Sequence, residues 1–307
     1  MTPTEAAPAF RVVDLVKRHP GQARPANNGM TFQVGAGEVF GIIGGNGAGK
    51  TTLIRQMLDL SPPDSGRVEL FGQEVRSSPG LVQLHVGYQA QQGSPLPNLP
   101  LLQALTVTTR LRGLARRHAE AEAKRLVEVW DLGAFARKPM SQMSGGEQRL
   151  GHIALAMAGQ PPVLVLDEPT AGLDPTYRRR TWEVLSGLCA AEGTTVVLVT
   201  HDAVEAEKIV QRVAVIREGA VAAVGRPGQL LRTLGERLRL EVSFDPTVPP
   251  PLPSGLEWHT RAADRFVTLL KPEEVTGALT QIDLTAVDGV RLYSATLEDL
   301  YFRYAIS

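Results

Sequence analysis

Short apolar runs alternate with helical patterns through most of the chain, which predicts an α/β fold. Glu38–Ile43 (EVFGII), Val163–Leu166 (VLVL) and Thr194–Thr200 (TTVVLVT) are apolar almost throughout. Such runs read as parallel strands buried on both faces. Phe10–Val16 (FRVVDLV), Met30–Val34 (MTFQV) and Arg67–Gly72 (RVELFG) alternate better and predict a partly exposed antiparallel sheet. Arg212–Gly225 reads as a hairpin turning at Glu218–Gly219. Between Asn98 and Ala136 the pattern is mostly helical, and Ala119, Ala123, Leu126 and Trp130 share one face. Glu120, Glu122, Lys124 and Glu128 fall largely elsewhere on that helix and are expected in solvent.

The character changes after about Leu231. Leu238–Phe244 (LRLEVSF) alternates as a strand, and the proline-rich Asp245–Gly255 (DPTVPPPLPSG) reads as a connection. RFVTLL then predicts a strand, PEEVTGALTQI a helix, GVRLYSA a strand and TLEDLYFRY a final helix. The expected organisation is a larger domain over 1–231, with a helical part at about 93–160, and a small α+β domain over 232–307. No internal repeat is visible.

Composition narrows the function classes. Lys plus Arg and Asp plus Glu both number 32, so the formal charge is zero and no bulk field draws the chain to nucleic acid or anionic lipid. The one cysteine, Cys189, rules out an intrachain disulfide and is expected as an inert core thiol, consistent with a reducing, cytoplasmic setting. The stretch MTPTEAAPAF has neither a basic start nor an apolar core, so no secretory signal is expected. No apolar run approaches the ~18 residues a membrane span needs.

The chemistry begins at GGNGAGKT, which comprises Gly44, Gly45, Asn46, Gly47, Ala48, Gly49, Lys50 and Thr51. It follows a buried strand and opens a helix, the context in which successive backbone N–H groups can turn around phosphate oxygens. Lys50 supplies a point charge to the β- and γ-phosphates and Thr51 a hydroxyl to Mg²⁺, while the helix start adds its dipole. VLVLDEPTAGLDP places two carboxylates at the end of a second buried strand. Asp167 is placed to hold Mg²⁺, directly or through water, and Glu168 to polarise an attacking water as a general base. In QMSGGEQRL a Ser-Gly-Gly turn runs straight into a helix. Ser144, Gly145 and Gly146 there form a second anion cup, since an ordinary cap explains the serine but not two glycines at a helix start.

GGNGAGKT, MSGGE, VLVLDEPT, GLD and VTHD stand in the order and spacing of ATP-binding cassette (ABC) ATPases, and the chain resembles that family over about Phe10–Leu231. The resemblance implies the P-loop NTPase fold of ABC ATPases, with a mixed sheet core, an antiparallel β subdomain and a helical subdomain. It implies ATP hydrolysis to ADP and phosphate with Mg²⁺, in a head-to-tail dimer with a second copy or a paralogous ATPase. The Ser144–Gly146 cup of one subunit would close on the γ-phosphate held by Gly44–Thr52 of the other, with Thr52 completing that loop. Asp174 of GLDP would lie across the dimer seam, and His201 of LVTHD would be the switch histidine contacting the γ-phosphate. HVGYQAQQ resembles the glutamine loop, and matching G-Y-x-x-Q selects Gln91 as the Mg²⁺ and water contact, with Gln89 and Gln92 as rivals. Glu147 replaces the commonest glutamine of the signature, with little effect expected. His19 sits where many relatives place a tyrosine that stacks on adenine, and offers a smaller ring.

With one cassette and no span, a transporter's pore would be a separate membrane permease, its cytoplasmic helix received by the insert around LPLLQALTVTTRLRGLARR. The ending TLEDLYFRY resembles that of drug, antibiotic and daunorubicin-resistance exporter ATPases. The resemblance therefore implies the ATPase subunit of a bacterial exporter of drugs, antibiotics or lipid-like cargo. It would be cytoplasmic and peripheral on the inner face of the membrane, with no nucleic-acid partner.

Overall fold

A computed structural model describes residues 7–91, 93 and 96–300. The described chain divides into two compact units, Met1–Val224 and Gly225–Ser307.

The first unit runs β1 (Phe10–Lys17), β2 (Asn27–Val34), β3 (Val39–Ile43), α1 (Lys50–Met57), β4 (Ser65–Leu70), β5 (Gln73–Glu74), α2 (Leu81–His85) and β6 (Val86–Gln89). It continues through α3 (Leu101–Leu111), α4 (Arg116–Val129), α5 (Gly145–Met157), β7 (Val163–Asp167), α6 (Pro175–Glu192), β8 (Thr195–Thr200), α7 (Ala203–Glu207), β9 (Arg212–Arg217) and β10 (Ala220–Gly225). Six strands form the central sheet in the order β10-β9-β3-β8-β7-β6. Every residue of β3, β7 and β8 is buried, as their continuous apolar character requires of strands covered on both faces.

The parallel register sets the site. Ile43 of β3 pairs with Thr200 of β8, and Asp167 of β7 pairs with Val199. The loops leaving β3, β7 and β8 therefore emerge side by side, at the carboxyl edge where open α/β sheets bind ligands. A second, antiparallel sheet has the order β2-β1-β4-β5. α1 sends Leu53, Ile54 and Met57 into a core shared by Phe10, Val12 and Leu15 of this sheet and Ile42, Val165 and Val197 of the central one.

Two findings depart from the sequence expectations. The short edge strand β6, which the sequence reads as part of the glutamine loop, carries no continuous apolar run. Glu122 on α4 is buried rather than solvated, because Arg125 donates two bonds to its carboxylate at 2.8 and 2.9 Å and Gln160 a third at 3.0 Å. Cys189 is buried, with its sulfur 2.9 Å from the Gly37 carbonyl.

The second unit comprises α8 (Pro227–Arg232), β11 (Leu238–Ser243), β12 (His259–Ala262), β13 (Arg265–Leu270), α9 (Val275–Thr280) and β14 (Gly289–Ser294). Its antiparallel sheet has the order β12-β13-β11-β14. Leu240, Val242 and Leu270 pack with Ala278 and Ile282. Alternation puts Arg239 and Glu241 of β11 on the opposite face. There Arg239, almost wholly buried, meets Asp299 at 2.8 Å, Glu298 at 3.0 Å and Glu241 at 3.6 Å. Leu297 and Leu300 are fully buried, while Tyr301–Tyr304 of the expected final helix lie outside the described residues.

Candidate active site

The loop leaving β3 and the end of β7 border a cleft of about 580 Å³, whereas His201, at the end of β8, does not line it and reaches the site only through Glu168. Asn46–Thr52 form the floor of the cleft, Asp167, Glu168 and Gln91 one side, and His19, Gln22–Ala26 and Glu218 another. Gly49 turns the loop into α1 with φ 101°, a left-handed conformation that L side chains avoid, and a Cβ there would run into the Ala26 carbonyl. Lys50 donates from Nζ to the carbonyls of Gly44 and Gly45 at 2.6 and 3.0 Å. Burial holds its pKa below the usual lysine range, against the opposing pull of Glu168 and Asp167.

Asp167 is nearly enclosed, and burial together with the neighbouring Glu168 pushes its pKa up to about 6 despite the Lys50 and Arg149 charges. Glu168 has φ 52°, which aims its side chain off the strand end. Its Oε1 accepts from the His201 backbone N–H at 2.9 Å and stands 2.7 Å from His201 Nδ1. Oε2 accepts from the Thr200 hydroxyl at 2.9 Å.

Of the three candidate glutamines, Gln91 lines the cleft. Gln89 is buried and donates to the Asp167 carbonyl at 3.3 Å, and Gln92 lies outside the described residues. His19 Nε2 is 3.2 Å from the Thr52 hydroxyl.

Ser144, Gly145, Gly146 and Asp174 do not line this cleft. Ser144 caps α5 in a reciprocal box with Glu147, its Oγ accepting from Glu147 N at 3.4 Å and its own N–H donating to Glu147 Oε2 at 2.8 Å. The signature glutamate thus has a structural use that sequence reading did not assign. Asp174 caps α6 by accepting from Thr176 and Tyr177 N–H at 2.8 and 3.0 Å. The Tyr177 ring packs so closely on Gly146 that a Cβ would approach it to 3.0 Å, so the two helix starts are neighbours.

Comparison with known proteins fits this geometry. Residues 27–171 match the ABC transporter family model. The chain is 38% identical over 240 residues to the daunorubicin/doxorubicin resistance ATP-binding protein of Streptomyces peucetius, covering 77% of this chain and 72% of the relative. The chain belongs to the ATP-binding proteins of ABC transporters. As a member of that family it is an ATP-binding ATPase. A Nod factor export ATP-binding protein of Burkholderia lata is 39% identical over 206 residues, 67% of each chain. Among solved structures, an ATP-binding subunit of an ABC transporter aligns with a TM-score of 0.68 at 26% identity, over 74% of this chain and 93% of that one. A dimeric ATP-binding cassette in a post-hydrolysis state with ADP and Pi shares the ABC fold, with a TM-score of 0.65 at 24% identity over 71% and 98%.

Several parts of this ABC ATPase site were not legible in the motifs. Thr200 and the Gln22–Ala26 wall are among them, and so is Arg149, whose Nη1 donates to the Gln91 carbonyl at 3.1 Å. Thr200 precedes a recognised histidine and could have been inferred from that adjacency. The other two depend on which segments the fold brings together.

Proposed function

We propose that this chain is the ATPase subunit of a bacterial ABC exporter, working as a head-to-tail pair against a separate membrane permease. The observation that carries the reading is the division of the anion-binding parts. Lys50, Asp167 and Glu168 line one cleft, whereas the Ser144–Gly146 helix start and Asp174 lie outside it and adjoin each other. A second subunit turned head to tail completes each cleft with the other's cup.

Backbone N–H groups of Gly45–Thr51 and the Lys50 ammonium bind the phosphates and orient the γ-phosphoryl group. Thr51, Gln91 and Asp167 converge on the cleft with oxygen donors only, the ligand chemistry that suits Mg²⁺. Held by Thr51, Gln91 and Asp167, the ion would neutralise the charge of the phosphates. Glu168 orients a water and takes its proton, and His201 moves between the Glu168 carboxylate and the γ-phosphate. His19 rests against the base.

No helix among the described residues is long and apolar enough to cross a membrane. A groove of about 410 Å³ between α3 and α4, lined by Leu99, Leu102, Gln103, Thr106, Val107, Glu120 and Lys124, offers the permease's cytoplasmic helix a seat. In this reading the subunit sits on the inner face of the membrane. Export of a drug, antibiotic or lipid-like cargo is the transport reading that the two export and resistance relatives support.

Glu168→Gln is expected to bind ATP, lower turnover at least a hundred-fold and accumulate ATP-bound dimers in light scattering. Hydrolysis at the wild-type rate, or a monomer that turns over fully without pairing, would sink the proposal.

A further inference from the structure

Arg149 lies on α5, five residues after the Ser144 cap, on the helix that presents the second anion cup. Its side chain leaves that helix and reaches a different segment. Nη1 donates to the main-chain carbonyl of Gln91, 58 residues earlier, at 3.1 Å. Gln91 is exposed and lines the nucleotide cleft, so its side-chain position depends on how its backbone is held. Arg149 is half-buried, and its positive charge acts on both Asp167 and Glu168. One guanidinium thus meets the end of the glutamine loop, the field of the strand-end carboxylates and the helix that leads to the cup.

We propose that Arg149 is the positioning residue that holds Gln91 against the cleft and fastens that loop to the helix carrying Ser144–Gly146. The proposal rests on the ATPase reading above and names a residue which that reading does not use. Arginine suits the task because its planar fork can donate to a carbonyl in one direction while keeping its charge directed toward carboxylates in another. A simple counter-ion would need no bond to Gln91, and a packing residue would need no charge. The loop and helix then shift together, so a change at Gln91 reaches the cup of the same subunit through one side chain.

The test is a double-mutant cycle in the full-length protein with Arg149→Met, Gln91→Ala and the double variant. Steady-state ATP hydrolysis is followed alongside Mn²⁺ affinity in the presence of ATP by electron paramagnetic resonance. Arg149→Met is expected to lower kcat at least ten-fold with KM for ATP within two-fold, and to weaken Mn²⁺ binding at least three-fold. In the Gln91→Ala background the same substitution should change either quantity less than two-fold, since its effect passes through Gln91. Additive losses would overturn the proposal by assigning Arg149 a packing role. Tighter Mn²⁺ binding would overturn it by reducing Arg149 to a repelling charge. Should Arg149→Met fail to fold, Arg149→Lys gives the same cycle in milder form, with at least a three-fold kcat loss that vanishes beside Gln91→Ala. A wild-type protein without ATPase activity counts against the functional reading itself. An active wild type with an additive cycle counts against Arg149 alone.

Discussion

Asp167 serves the site at a cost to the fold, and Asp167→Asn should expose that cost. Asp167 is 4% exposed, and its carboxyl pKa is pushed from 3.8 up to about 6. A shift of roughly 2 units, at about 1.4 kcal/mol each, means that the ionised form costs the folded state about 3 kcal/mol. The attractions of Lys50 and Arg149 are already included in that net shift. The sign follows from which state keeps the proton. Between pH 4 and 6 the folded protein holds it and the unfolded chain releases it, so this group removes stability as pH rises through that window. Asparagine has no charge to bury. In EDTA without nucleotide, Asp167→Asn should exceed wild type by about 2–3 kcal/mol at pH 8, and by only about 1 kcal/mol at pH 4.5. Urea unfolding followed by circular dichroism at both pH values measures this directly. With ATP and Mg²⁺ the order should reverse, because ligand binding stabilises the protein that can hold the ion. A variant no more stable than wild type at pH 8, or equally favoured at both pH values, would refute the burial argument.

Two further substitutions probe how the site is supported. A Cβ at Gly87 would collide with the Ala156 carbonyl of α5 and stand 2.8 Å from Leu164 Cδ2, so Gly87→Ala should cost about 1–3 kcal/mol in urea unfolding. Gly187→Ala, in open space on α6, should instead gain up to about 1 kcal/mol, which separates the clash from a general effect of removing glycine. Arg239→Met leaves Asp299 buried without a cation, while Glu298 keeps Arg261 and Glu241 keeps Arg265, and should destabilise the second unit by about 3 kcal/mol. Hydrogen exchange should then accelerate in β11 and β13 and remain unchanged in β3, β7 and β8.

The sequence announced its elements best where burial was symmetric. β3, β7 and β8 are enclosed on both faces, so their apolar runs are continuous and the motifs at their ends could be placed on strand termini. β6 escaped notice because its four residues, Val86–Gln89, include a glycine whose purpose is contact with α5, a relation between distant segments. The Glu122 carboxylate looked like solvated surface because helical periodicity reports the face of a helix, and Gln160 reaches that face from beyond α5. The polar side of the second sheet was equally opaque. An alternating LRLEVSF ordinarily turns its charged positions to water, and here Glu298 and Asp299 arrive to cover Arg239.

The Glu168 carboxylate shows how stability and chemistry meet at one residue. A non-glycine residue at φ 52° costs roughly 1–2 kcal/mol. It is held there by its own N–H bond to the Val199 carbonyl at 2.8 Å and by the contacts of its side chain with Thr200 and His201. An ionised carboxylate offers about four lone-pair positions and can only accept, so opposite such a carboxylate His201 Nδ1 is the donor. Two positions on Oε1 are then filled by His201 and one on Oε2 by Thr200. The remaining position on Oε2 is where a water can be taken without breaking a bond. A second opens only when the His201 ring leaves, while its backbone N–H and Thr200 still hold the carboxylate in place. The ring is the exposed part of this cluster, with 57% of its side chain accessible against 7% for Glu168. Under the proposed roles of Glu168 and His201, departure of the imidazole toward a phosphate would free the carboxylate without releasing its backbone, and that division of labour would let a strained residue act repeatedly.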